Sequence, residues 1–345
     1  MAGLVASARL RELGVEHVVL EKGTRAGGSM LLSSCVVWRY RSLDEFRTEC
    51  PDGDPDLQRL VLDRFDDALA WLESLGAPVV WQETGNPRTI GRRFDPRGLT
   101  DALLARAGEV RLETPLPGDG EPPVILATGG FSVRLARERG LLVRSNRWSE
   151  GDGLEFARAR GGTTAGDLGE FYGRAMPAVG QVDETEFVPL TQLYGRYATV
   201  VGEDGDEFFA GPPNWAETDL ALAIAAQPTG TAWFLVDDGA LDQRIRDRRV
   251  RDMVEAARAA GAEVEEHPDG RVAVHVTVGV THTVGGLRVD TGARVLGESG
   301  RPISGLCAAG ADVGGIAGGG YASGLAAALV LGLVAAETAA AEART

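Results

Sequence analysis

Apolar residues recur along this chain with two different periods, and the order in which the periods alternate predicts layers of helices and strands. Residues 2–13 carry Leu4, Val5, Ala8 and Leu13 at helical spacing, and Gly14 follows as a stop signal. Val18 to Leu20 is an unbroken apolar run of the kind a parallel sheet covers on both faces. Residues 56–75 set Leu60, Phe65, Leu69 and Leu72 on one helical face before Gly76, and residues 99–107 form another helix after the Asp95-Pro96-Arg97-Gly98 turn. A Pro/Gly/acidic connection over 111–123 leads to a second buried strand, 124–127, which ends in Thr128-Gly129-Gly130. These are the recurring pieces of a βαβ-type domain.

From about Tyr172 the pattern shifts to short β-like pieces at 196–201 and 232–236 and helices around 220–226 and 247–260. Near Val276 the glycine-rich α/β character returns and continues to the end. The organisation expected is therefore one discontinuous domain, 1–172 with 276–345, interrupted by a second domain at 173–275. No fixed-period repeat is evident.

Composition narrows the chemistry. The 345 residues include 47 glycines, close to twice the usual share of roughly 7%. They cluster beside apolar segments, which suggests turns where backbone approaches a ligand or another backbone. A formal net charge of -15 weighs against duplex nucleic acid or anionic lipid as a partner and favours a small molecule. Cys35, Cys50 and Cys307 lie far apart without a CxxC pair, so neither a disulfide framework nor a zinc or iron-sulfur site is indicated. Glu12, Glu16 and Glu21 argue against a transit peptide, and the apolar segment 325–336 is too short and alanine-rich to span a bilayer. A cytoplasmic protein with no membrane, nucleic-acid or metal partner is expected.

In a dinucleotide-binding unit the helix after the first strand points its amino end at a pyrophosphate, and glycines admit the phosphate oxygens. Met1-Ala2-Gly3 has the look of the last three letters of the GxGxxG fingerprint. Glu21, at the end of the following strand, then stands where an acid binds a ribose hydroxyl. Taken alone, Gly3 and Glu21 fit a plain helix-turn-strand with a surface glutamate equally well.

Four segments extend the pattern: "VVLEKGTRAGGS", "VILATGGF", "GVTHTVGGLRVD" and "GLCAAGADVGGIAGGGYASGLAAALVLG". In this order they resemble the flavoprotein family of fumarate reductase and succinate dehydrogenase, with its relatives that desaturate small acids or ketosteroids. The resemblance implies an α/β fold: a Rossmann-like FAD-binding domain of the glutathione-reductase type with an inserted α+β cap. It implies that Glu21 and Lys22 meet the adenosine ribose, and that Gly27, Gly28 and Ser29 meet the pyrophosphate and isoalloxazine side. Thr128, Gly129 and Asp152 would lie near the adenine half. Gly310 and Asp312 fall in the segment where relatives carry a glutamate for the ribityl hydroxyls, after an extra residue. Ser323, Gly324 and Leu325 would start the last helix, whose amino end faces the flavin and favours negative charge there.

His282 matches a family histidine that contacts a substrate carboxylate or carbonyl; a structural histidine satisfied within the sheet is the competing explanation. Tyr172 and Arg174 in "FYGRAMP" are candidate pocket residues, the guanidinium serving either as a carboxylate clamp or in an interdomain ion pair. Tyr321 is a third candidate wall, or simple aromatic packing.

Departures from the family pattern are informative. The cap arginine that donates a proton in fumarate reductases corresponds locally to Glu217, and "GGIAGGGYASG" holds no basic residue where those enzymes carry another arginine. Fumarate thereby loses its charge partners. No histidine lies near "AGGSMLLSSC", where some relatives attach flavin, so non-covalent FAD is expected. The family would place a strand and a GxG turn immediately before Met1; the expectation is a longer reading frame or a truncated form, and weak FAD binding by the chain as it stands.

The implied function is an FAD-dependent oxidoreductase acting on a C–C single or double bond next to a carbonyl or carboxylate, by hydride transfer with flavin N5. Tyr172, Glu217 and Tyr321 remain alternatives for the proton transfer. The electron partner is undefined. The competing reading is a degenerate flavin-binding or partner-binding protein without turnover. A short-chain nicotinamide dehydrogenase is disfavoured because it wants a YxxxK pair after a serine.

Overall fold

Two units divide the chain, each with its own core. The computed structural model describes residues 1–120 and 122–344. The first unit takes Met1–Ser132, Asn146–Glu170 and the chain from His282 on; the second takes Val133–Ser145 and Phe171–Thr281. The interruption is thus wider than 173–275 and has an extra excursion at 133–145. A single strand explains both differences. Val272–Thr283 runs for 12 residues, and Leu142–Val143 pairs in parallel with its Gly279 and Val280.

In the first unit the helix Ala2–Glu12 lies against the last helix, Gly324–Glu342, through a cluster of Ala6, Leu10, Ala336 and Ala340. Gly332 permits this approach, because a Cβ there would lie 2.9 Å from the Ala2 carbonyl oxygen. The last helix is longer than the apolar stretch seen in the sequence. Its 19 residues suffice by length and composition to cross a membrane, yet 67% of its apolar window is buried within the structure, as in the core helix of a folded domain.

Three of the first unit's small sheets lie beside this helix pair. Val18–Leu20 pairs in parallel with Glu109–Arg111, and Val124–Leu126 pairs in parallel with Pro302–Ala308, which in turn pairs antiparallel with Arg294–Leu296. Val36–Tyr40, Thr89–Phe94 and Val79–Trp81 make an antiparallel sheet. Val18–Leu20 departs from the expectation of a strand covered on both faces: Val18 is 41% and Leu20 37% exposed. Among the described residues it is hydrogen-bonded along one edge only, to Glu109–Arg111. The helix Pro55–Ser74 begins where Asp54 accepts from the Asp56 and Leu57 amides, and it buries Leu57, Val61, Phe65, Leu69 and Leu72. Leu60, expected on that face, sits at its border because the buried stripe runs one step away from it.

The second unit is α+β. Its sheet runs Glu207–Phe209, Thr199–Val201, Thr231–Val236, Val272–Thr283, Val264–Glu266, with Phe171–Pro177 also on the long strand. Helices Thr218–Ala225 and Val250–Ala259 accompany it, the latter burying Val250, Met253, Val254 and Ala257 at helical spacing. Every residue of Phe171–Pro177 is buried, including Tyr172 and Arg174.

Candidate functional site

The glycine-bearing turns of the first unit meet at the ends of its parallel strands. After Val18–Leu20 the Glu21 carboxylate accepts from the Gly23 amide at 2.8 Å, which closes the turn locally. Lys22 reaches across 130 positions: its Nζ lies 2.8 Å from Glu150 and 3.0 Å from Asp152. Burial works against the ammonium, but the hydrogen bonds and charges of Glu150 and Asp152 outweigh it and hold Lys22 above the usual lysine range. Gly27 and Gly28 both have positive φ, 108° and 54°, which a side chain would strain. Ser29 accepts from the Asn146 amide at 3.0 Å.

The second strand, Val124–Leu126, delivers Thr128-Gly129-Gly130 onto Asp312. The Asp312 carboxylate accepts from the Thr128 amide, from Thr128 Oγ1 at 2.8 Å and from the Gly130 amide at 3.0 Å. Thr128 Oγ1 also receives the Gly153 amide at 3.1 Å, joining the start of the helix Asp152–Arg158 to the same knot. Burial pushes the Asp312 carboxyl above its ordinary pKa, against the pull of these donors. Asp312 is therefore a buckle between two glycine turns, a role the sequence reading did not assign to it. Gly3 and Gly310 lie close by: a Cβ on Gly3 would touch Ala127 at 3.4 Å and one on Gly310 would meet Ala2 at 3.0 Å.

At the last helix, Ser323 is the N-cap and accepts from the Ala326 amide at 3.2 Å. The His282 ring covers Gly324, with Cε1 3.3 Å from where a Cβ would stand. Leu325 follows within the first turn. Burial lowers the His282 pKa to about 4, so the imidazole is neutral at pH 7. Tyr321 belongs to an aromatic group: its ring centroid is 5.4 Å from that of Trp38, and its carbonyl accepts from Tyr40 Oη.

Three residues that the sequence reading passed over stand out in this region. Asn146 Oδ1, Ser149 Oγ and Thr283 Oγ1 are buried and have no hydrogen-bond partner among the described residues. A Cβ on Gly129 would lie 2.8 Å from Ser149 Oγ, and one on Gly130 would lie 2.6 Å from Thr283 Oγ1. Buried polar atoms are normally satisfied. Unpartnered hydroxyl and amide oxygens beside bare glycine backbone fit a ligand rich in hydroxyls and phosphates, as a flavin dinucleotide is. "SNRWS" has no periodicity, and nothing local marks its side chains as inward-facing.

The second unit holds Tyr172, Arg174 and Glu217 together. Arg174 Nε donates to the Tyr172 phenol oxygen at 2.6 Å, and its Nη1 donates to the Ala216 carbonyl. Glu217 caps Thr218–Ala225 in the left-handed region at φ 53°, which costs a non-glycine residue about 1 kcal/mol or more. Burial raises its pKa despite Arg174 and Arg196 and the Gly195 and Arg196 amides that its carboxylate accepts. Thus His282 and Tyr321 belong to the first unit and the other three candidates to the second.

A family model described as "FAD binding domain" matches residues 1–119 and 121–326. The chain is 25% identical to the NADH:fumarate oxidoreductase of Klebsiella pneumoniae (strain 342), over 92% of the chain and 44% of that protein. It is 24% identical to a fumarate reductase (cytochrome) of Shewanella frigidimarina, over 92% of the chain and 71% of that protein. The chain therefore spans less than half the length of the Klebsiella relative. Among solved structures, the open conformation of a flavocytochrome c3 fumarate reductase shares the fold with a TM-score of 0.71 at 21% identity, covering 100% of this chain and 77% of that one. The 3-ketosteroid-delta4-(5alpha)-dehydrogenase of Rhodococcus jostii does so with a TM-score of 0.68 at 16% identity, covering 98% and 94%.

Proposed function

We propose, from the premise that the chain belongs to the FAD binding domain family, that it is an FAD-dependent oxidoreductase acting on a C–C bond next to a ketone carbonyl. The observation that carries this reading is the meeting of glycine turns and unpartnered buried oxygens in the first unit, a cradle matched to the cofactor. Glu21, Gly27, Gly28, Ser29, Thr128, Gly129 and the Ser323–Gly324 helix start would hold FAD non-covalently. When bound, the flavin supplies hydride acceptance or donation at its N5.

The protein's own part is positioning and the proton. Within the second unit, Tyr172 Oη is the group suited to giving or taking a proton. The phenol oxygen receives Arg174 Nε at 2.6 Å, which fixes the orientation of the phenol.

Neutral carbonyl substrates are favoured over dicarboxylates for two reasons. Arg174 is engaged by Tyr172 and by the Ala216 carbonyl. The stretch from Gly310 to Leu325 contains no lysine or arginine. The test is anaerobic: protein loaded with FAD is chemically reduced, then mixed with a cyclic enone or with fumarate, and the visible flavin band is followed. Recovery of the band with the enone and not with fumarate is expected. Recovery with fumarate alone overturns the substrate class, and no recovery with either overturns the enzyme.

A further inference from the structure

The segment from Asn146 to Ser149 is a strap held at both ends. It is folded by its own turn, with the Ser149 amide donating to the Asn146 carbonyl at 3.0 Å. The Asn146 amide is tied to Ser29 Oγ at 3.0 Å. Trp148 lies over Gly23, so close that a Cβ there would stand 2.5 Å from the ring, and the Arg25 and Arg147 guanidinium carbons lie 5.4 Å and 6.0 Å from its centroid. Glu150, the next residue, is pinned by Lys22 at 2.8 Å.

Against this anchoring, two side chains of the strap are spent on nothing. Asn146 is 7% and Ser149 1% exposed, yet Asn146 Oδ1 and Ser149 Oγ have no partner among the described residues. Their positions are not random. Ser149 Oγ stands 2.8 Å from where a Cβ on Gly129 would be, and Asn146 Nδ2 stands 3.8 Å from the same point on Gly28. Each polar head is therefore beside a left-handed glycine, φ 93° and φ 54°, in one of the two turns assigned to the cofactor. A buried oxygen without a partner is unfavourable, and a ligand that supplies the partner relieves that cost.

We propose that Asn146 and Ser149 are ligands of the polyol and phosphate oxygens of FAD, the Asn146 carboxamide oxygen accepting from a hydroxyl and the Ser149 hydroxyl donating to an oxygen of the chain between the rings. Neither residue carries a ribose acid, a glycine fingerprint or any other signature of a cofactor site. The proposal rests on the FAD reading above and extends it to a segment outside the glycine turns.

The experiment measures two quantities on the full chain and on Ser149→Ala, Asn146→Ala and the double variant. One is FAD affinity from quenching of flavin fluorescence; the other is the melting temperature without FAD. A ligand role predicts FAD affinity lowered about three- to ten-fold by each change. It also predicts a melting temperature without FAD that is unchanged or higher, because no hydrogen bond is removed from the free protein. Unaltered FAD affinity in both single variants overturns the proposal. So does a fall in the cofactor-free melting temperature parallel to the loss of affinity, which marks a structural role. Ser149→Ala is nearly isosteric and decides the matter alone should Asn146→Ala not fold. If the unaltered chain quenches no FAD, the cofactor reading itself falls and takes the strap with it.

Discussion

Replacing Asp312 by alanine tests whether the knot between the glycine turns is a source of stability. Asp312 is 1% exposed, and its carboxylate satisfies the Thr128 amide, Thr128 Oγ1 and the Gly130 amide, with the Gly129 amide close enough to act on it as well. The threonine hydroxyl can rotate to another acceptor, but the backbone amides cannot. Two orphaned amides at about 1–3 kcal/mol each give a loss of about 2–6 kcal/mol. Removing a buried carboxyl returns part of this, since burial disfavours its charge. The net expectation is about 2–4 kcal/mol. For a domain of this size about 2–4 °C is lost per kcal/mol, so the melting temperature should fall by about 5–15 °C. The assay is thermal unfolding followed by circular dichroism, with Asp312→Asn beside it. The amide retains one acceptor oxygen and should lose less than alanine. A melting temperature within about 2 °C of the parent for Asp312→Ala, or equal damage from both changes, would refute the reasoning.

Further outcomes are expected elsewhere in the molecule. The His282 pKa is lowered by burial to about 4, so the folded state refuses a proton that the unfolded chain takes near pH 6.5. Its contribution to stability is complete above that value and is lost as pH falls toward 4, by roughly 3 kcal/mol in all. The stability difference between the parent and His282→Gln, from urea unfolding at a series of pH values, should shift against the parent across that window; a flat difference contradicts the burial argument. Gly320→Ala would place a Cβ 1.7 Å from the Glu49 carbonyl oxygen, a clash no rotamer relieves. A loss above about 3 kcal/mol is expected in thermal melts, and an unperturbed melt would show that this loop yields.

Residue patterns and family likeness together made much of the first unit legible. The helical spacing at 2–13, the stops at Gly14 and Gly76 and the strand ending in Thr128-Gly129-Gly130 all stand in the structure, within a residue or two. Such signals are local, because a helix or turn is decided by residues a few positions apart. Lys22, Asp152, Thr128 and Asp312 stand out in the sequence one by one, through the motifs that hold them. That Lys22 is neutralised by Asp152 and Glu150, and that Thr128 is clasped by Asp312, depends on chain segments more than a hundred positions apart.

The set of elements and the placing of glycines where backbone must come close follow from steric preferences of each residue and its near neighbours, and so are written in the chain itself. Which polar groups are satisfied and which are left over is settled by the folding of distant segments onto one another. Asn146 and Ser149 have nothing unusual in their local sequence; they become informative because folding buries them beside Gly28 and Gly129 without a partner. The same holds for the wider second unit, whose limits follow the pairing of Leu142–Val143 with a strand that begins 129 positions later. Burial and pairing are properties of the assembled chain, because water is excluded only when distant segments close over a group together.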